Sequence, residues 1–184
     1  MDETPLPLPP ENGSGAASAV RPSPVLCLRV VRLGAEPSLW RRVRVPASMT
    51  LRRLHGALRC ALGRPDIEAH RFRVGDVLYG NTVEGLPTRD SRWATVGDVA
   101  RRGVTSFGYE LAEPPGAAAH EVRIEAILEE GAADPRPVCL GGEGVWPADG
   151  APAAGAEEGI AFIAPDDTVG FDLNAVNVAL ARLR

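Results

Sequence analysis

Polar and apolar residues alternate with the two-residue period of a strand in three parts of this chain and follow a helical period in two others. Over residues 39–45, Val43 and Val45 share one face and Arg42 and Arg44 the other. Successive side chains of an extended backbone point to opposite faces, so this stretch predicts a strand. Pro46, with no N–H to donate, ends its ladder. Residues 69–74 repeat the pattern, with His70, Phe72 and Val74 against Arg71 and Arg73, and Gly75-Asp76 suits a hairpin turn into a short strand at 77–79. The clearest strand is 121–128, with Val122, Ile124, Ala126 and Leu128 opposite Glu121, Arg123 and Glu125. The β-branched and leucine-rich run 25–33 has the length of a strand, and one more is expected over 105–111.

Leu51, Leu54, Leu58 and Leu62 recur at helical spacing, with Ser48 or Thr50 as the cap and Gly63 and Pro65 as the stop. At about 100° per residue His55 falls inside this apolar stripe, while Arg52, Arg53 and Arg59 point elsewhere, towards solvent or a partner. A short helix is expected over 95–102, capped by Thr95. The last helix follows Phe171-Asp172-Leu173 and has Leu173, Val176, Leu180 and Leu183 as its stripe. Residues 1–24, rich in Pro, Gly, Ser and Ala, carry too little apolar surface to offset the entropy of ordering and are expected to be a disordered tail. Residues 129–159, dominated by Gly, Ala, Pro and Glu, read as a long mobile loop. The expectation is one α+β domain over 25–184: a mostly antiparallel sheet packed against one main helix at 50–62, with the C-terminal helix closing the core.

Composition adds bounds. A chain of 184 residues with 45% hydrophobic content fits one domain. No apolar run approaches the length that crosses a bilayer, which gives no reason to expect a membrane partner. No secretory leader is visible, and Cys27, Cys60 and Cys139 are too widely spaced for a disulfide framework, so a reduced cytoplasmic protein is expected. All twenty basic residues are arginine, which with the abundant Ala, Gly and Pro matches GC-rich codon usage. Charge is uneven: residues 1–20 carry three acids and no base, 21–123 carry seventeen Arg against ten acids, and 124–184 carry three Arg against eleven. A basic first part beside an acidic remainder fits either a nucleic-acid face or a mixed surface whose charges balance; no aromatic residue interleaves the arginines, which favours the mixed surface.

One block is more particular than a generic strand and helix: Trp40-Arg41-Arg42, Pro46, Thr50-Leu51, Leu54-His55 and Gly63. With Phe-Asp-Leu-Asn-Ala-Val-Asn at 171–177, His120 before alternating strand residues, and Cys139 before a Gly-rich turn, the chain resembles the plasmid pRiA4b ORF-3-like family from about residue 25 to its end. Its members often sit on plasmids and insertion elements, and the family has no settled biochemical activity. The resemblance implies a non-catalytic accessory protein of mobile-element type, acting by binding. It also exposes departures. Relatives usually carry Trp where this chain has Arg64 and His where it has Glu68. Their Asp-Phe-Gly-Asp-x-Trp run is replaced within 111–119, and their Cys-Pro-Pro-Glu-Asp-Cys stretch by Trp146-Pro147-Ala148-Asp149-Gly150. The polar cluster that would suggest an enzyme or metal protein is largely missing, as in a diverged member.

Candidate chemistry falls into three sets. Arg41, Arg42, Arg44, Arg52, Arg53 and Arg59 are candidates for a nucleic-acid contact surface; alternatively Trp40 fills the core and one neighbouring arginine is tied to an acid or a helix end. His55, His70 and His120, the only histidines, are candidate ligands for a divalent metal in a remnant enzyme, with Glu68 or Cys139 able to complete the set. Their spacing has no local ligand signature, and a His on an apolar helix face is more often a hydrogen-bonded core residue. Cys139 beside Gly141-Gly142-Glu143-Gly144 reads as an incidental thiol in a flexible loop rather than a nucleophile at a phosphate-binding turn. A third reading is a protein-interaction module whose partner takes the acidic loop or the Pro-rich tail.

Overall fold

The computed structural model of the protein describes residues 24–35, 38–64, 69–80, 88–111, 119–129, 136–144 and 171–183. The predicted tail up to residue 23, and residues 130–135 and 145–159 of the predicted loop, lie outside these. Eight strands form one sheet: β1 (Pro24–Arg32), β2 (Trp40–Pro46), β3 (His70–Val74), β4 (Val77–Gly80), β5 (Thr88–Asp90), β6 (Ser106–Leu111), β7 (Ala119–Glu129) and β8 (Val138–Glu143). Their spatial order is β5-β4-β3-β6-β7-β1-β2-β8. Neighbours are antiparallel except for β4 and β5.

The main helix, α1 (Leu51–Ala61), is set by its ends. Thr50 Oγ1 accepts from the backbone N–H of Arg53 at 3.2 Å. At the far end Gly63 takes φ +75°, which lets its N–H reach Cys60 O and the Arg64 N–H reach Arg59 O at 2.7 Å, a Schellman closure. Leu51, Leu54, Ala57, Leu58 and Ala61 are buried against Leu26, Leu28, Val30, Val43, Val45, Phe72, Tyr109 and Val122, the inner-face residues of the sheet. Each fully buried leucine here contributes on the order of 2 kcal/mol. The predicted alternation holds at the inner face: His70, Phe72 and Val74 of β3 all point to the core.

Two small helices complete the layer, α2 (Val96–Arg101) and α3 (Leu173–Ala181). Thr95 and Asp98 form a capping box on α2. On α3, Asp172 caps the start, Leu180 is buried and Val176 and Leu183 are partly buried, but Leu173 of the predicted stripe is exposed on the first turn. The fold is α+β, with a larger sheet than expected. β5 has only three residues, too few to show a period. β8 lies within the predicted 129–159 loop; its Gly141-Gly142 pair hides a strand pattern, and pairing with β2 supplies the ladder that makes it a strand. No helix among the described residues is long and apolar enough to cross a membrane.

Candidate functional site

The six candidate arginines have separate fates. Arg41 points inward and is only 4% exposed. Its guanidinium donates to four backbone carbonyls: Nε to Ala61 O (2.9 Å), Nη1 to Trp40 O (2.8 Å) and Glu143 O (2.7 Å), and Nη2 to Gly144 O (3.0 Å). The Ala61 carbonyl belongs to the last turn of α1, where an orphan acceptor and the negative end of the helix dipole both favour a cation. The guanidinium also lies over the Phe171 ring at 4.2 Å. Burial lowers the Arg41 pKa from its ordinary value. Arg41 therefore ties α1, β8 and the approach to α3 together, and it presents nothing to a phosphate outside.

This explains the glycines after Cys139. A Cβ on Gly142 would sit 2.6 Å from Arg41 Cδ and 2.7 Å from Trp40 O, and Gly144, at φ +78°, meets Ser38 O at 2.8 Å. The Gly-rich turn makes room for Arg41; it is not an anion cradle. Cys139 is buried, and desolvation raises its pKa, which keeps it a thiol. Asn177 of α3 reads the β8 backbone beside it, its Oδ1 accepting from Cys139 N (2.8 Å) and its Nδ2 donating to Cys139 O (3.0 Å). The C-terminal Phe171–Asn177 segment thus covers the exposed edge of the sheet.

Arg42 and Arg44 lie on the open face of the sheet, with Trp40 beside them. Trp40 is not in the core, as the alternative reading of that motif had it. Its ring lies under Arg29 at 4.1 Å, with Arg42 at 5.8 Å, and its Nε1 donates to Glu143 Oε2 at 3.0 Å. Arg42 makes a bidentate pair with Glu125 (2.6 and 3.0 Å), which raises the Arg42 pKa and lowers that of Glu125. Arg71 pairs with Glu110 and Arg123 with Glu121 along the same sheet. Arg29, which sequence reasoning did not single out, belongs to this ladder through its register opposite Arg42.

Arg52 and Arg53 are exposed on the outer side of α1 and, with the half-buried Arg59, line a groove of about 290 Å³ with Met49, His55, Gly56, Pro137 and Leu183. Among the described residues no carboxylate is ion-paired with Arg52 or Arg53. Asp90 lies within electrostatic reach of Arg52, but its carboxylate is already bonded to Arg92. Gly56 sits between Arg52 and Arg59 on the same helical face and leaves the groove floor without a side chain. The Cβ of an alanine there would meet only Leu183, at 3.9 Å.

The three histidines do come together, beneath this groove. His55 and His70 stack with ring centroids 3.8 Å apart and planes 10° apart. His55 Nδ1 and the Tyr109 hydroxyl share a hydrogen bond of 2.8 Å, and His70 Nε2 and Ser91 Oγ one of 3.2 Å. His120 Nδ1 donates to Tyr109 O at 3.3 Å. Burial pushes the His120 pKa down to about 4 and the Tyr109 phenol far up, so both are neutral near pH 7. A metal bound to imidazole lies in the ring plane, and two nearly parallel rings 3.8 Å apart do not aim nitrogens at one ion. Among the described residues no group of three or more His, Cys, Asp and Glu is arranged to hold a metal. Glu68 lies outside them.

The plasmid pRiA4b ORF-3-like protein family matches residues 25–168. The chain belongs to that family. The segment 171–177 lies just beyond the matched region and contacts it through Arg41 and Cys139. The crystal structure of the protein of unknown function MM3350 from Methanosarcina mazei Go1 is similar at a TM-score of 0.61 and 24% identity. The similarity covers 69% of this chain and 74% of that one, and it carries the fold alone. No curated protein matches the chain. The family-like residues have visible structural work: Thr50 caps α1, Gly63 closes it, Arg41 locks its end and His55 is bonded in the core. Of the positions that depart from the family pattern, Glu68, 112–118 and 146–150 lie outside the described residues.

Proposed function

We propose that this family member is a non-catalytic binding protein that takes nucleic acid on the outer face of α1. The observation that carries the reading is the groove walled by Arg52, Arg53 and Arg59. Guanidinium groups suit phosphate oxygens in both charge and fork geometry. Of the predicted six-arginine surface these three serve the reading, because Arg41 is buried and Arg42 and Arg44 lie on the opposite face of the sheet, Arg42 paired with Glu125. The net positive charge of residues 21–123 supports the same reading.

Binding through three phosphate contacts makes log K fall with log salt at a slope between about −2 and −3. Titrating labelled oligonucleotides over a range of salt concentrations measures this. Each of Arg52→Ala, Arg53→Ala and Arg59→Ala lowers the slope by about 0.7–0.9, and Arg42→Ala leaves it unchanged. Absent or salt-insensitive binding removes the proposal. The metal reading of His55, His70 and His120 keeps one supporting observation, that His55 and His120 flank Tyr109 while His70 stacks on His55; it requires the stacked rings to turn apart. Stoichiometric metal in the purified protein, with a raised melting temperature on adding zinc or manganese, would revive it.

A further inference from the structure

We infer that Trp93, on the turn bonded to the first residue of α1, is a base-stacking platform, so that the ligand is single-stranded nucleic acid rather than duplex; this rests on the reading just proposed. Trp93 is 85% exposed, the most exposed of the large apolar residues described. Its exposure is not that of a loose loop. Asp90 caps the turn by accepting from Arg92 N at 2.9 Å and holds the Arg92 guanidinium. Ser91 is buried and bonded to His70. Ala94 is buried, and its carbonyl accepts from the first N–H of α1, that of Leu51, at 2.8 Å. Both ends and the middle of the turn are fixed, and the indole between them is held out into solvent.

That anchoring also sets where the indole stands. The Ala94–Leu51 hydrogen bond places Trp93 one residue from the start of α1, and Arg52 and Arg53 are the next two residues of the helix. The charge of Arg52 is felt at Asp90, on the other side of the same turn. A rigid aromatic face beside a cationic groove is how single strands are held without sequence readout: bases stack while guanidinium groups track the backbone. A turn whose backbone is already fixed loses little further backbone entropy on binding. In duplex the bases are stacked on each other, so only the arginines would engage. Along the sequence no aromatic residue interleaves the α1 arginines; the fold supplies one from forty residues away.

The test is fluorescence anisotropy of the full chain with a fluorescein-labelled oligo-dT of about ten nucleotides and with a blunt duplex of equal length. Wild type binds the single strand more tightly. Trp93→Ala loses about tenfold on the single strand and nothing on the duplex, and Trp93→Phe keeps most of the affinity. Unchanged single-strand affinity in Trp93→Ala, or equal losses on both probes, overturns the inference and leaves the arginine reading standing. Failure of wild type to bind either probe at low salt overturns both. The indole packs against little, so melting temperatures of the variants should match wild type and rule out a folding defect.

Discussion

Strand β2 and helix α1 each carry three arginines, and the fold treats Arg41 and Arg42 of the one and Arg52 and Arg53 of the other in opposite ways. On β2 the guanidinium groups are largely consumed: Arg41 by four carbonyls inside, Arg42 by Glu125 across the open face. On α1 they border a groove. The difference follows from geometry. Directly across from Arg42 stand Arg29 and Gly141, and its acid, Glu125, lies one strand further on, in β7. A sheet face lays the side chains of several strands side by side, so a long side chain reaches an opposite charge beyond its nearest neighbour. A helical residue meets those three and four positions away, and α1 contains no acid at all. An arginine on a sheet face is therefore weak grounds for a binding surface, whereas a helix of arginines without acids is stronger grounds.

The comparison breaks most sharply at Arg41. Arg41→Met strips the cation from four backbone carbonyls that are buried or partly buried and should destabilise the protein by about 3 kcal/mol or more, read from urea unfolding. Arg41→Lys should recover little, because a single ammonium cannot span Ala61 and Gly144. A Met variant as stable as wild type would show that the lock is ornamental and would return Arg41 to the candidates for ligand contact.

A second measurement sharpens the buried side. His120 is neutral in the folded protein, with its pKa near 4, against an ordinary 6.5 when unfolded. Between these values the unfolded chain binds a proton that the folded one does not, so stability rises with pH. The contribution is fully present above pH 6.5 and falls by up to about 3 kcal/mol as the pH drops to about 4. His120→Asn should flatten the profile of unfolding free energy against pH. An identical slope in that variant would place the acid sensitivity elsewhere.

The smallest expected effect separates groove from scaffold. Gly56→Ala introduces a Cβ with only an ordinary contact to Leu183, and should raise stability by about 0.5–1 kcal/mol through helix propensity. The same methyl narrows the groove floor and should weaken oligonucleotide binding. Higher stability with undiminished binding would move the ligand off this groove.

The legibility of the chain was uneven for reasons visible in particular residues. Alternation along β2, β3 and β7 and the leucine stripe of α1 are periods of the backbone itself, so most elements could be read. The caps at Thr50, Thr95 and Asp172 are likewise local chemistry. β8 escaped because its strand identity depends on pairing with β2, and its glycines serve Arg41 rather than a turn. Residue type favours the core for Trp40, yet the register of β2 turns it out and Arg41 in.

By itself, the sequence determined the family, the α+β class, the places of the main helix and most strands, and the short list of arginines and histidines. Those rest on local period and residue type. Tertiary structure alone decided which arginine is buried, which is paired and which faces a groove, that His55 stacks on His70, and that Trp93 stands beside α1. Each of these is a contact between residues distant in the chain, and no local pattern encodes the face on which two such residues meet.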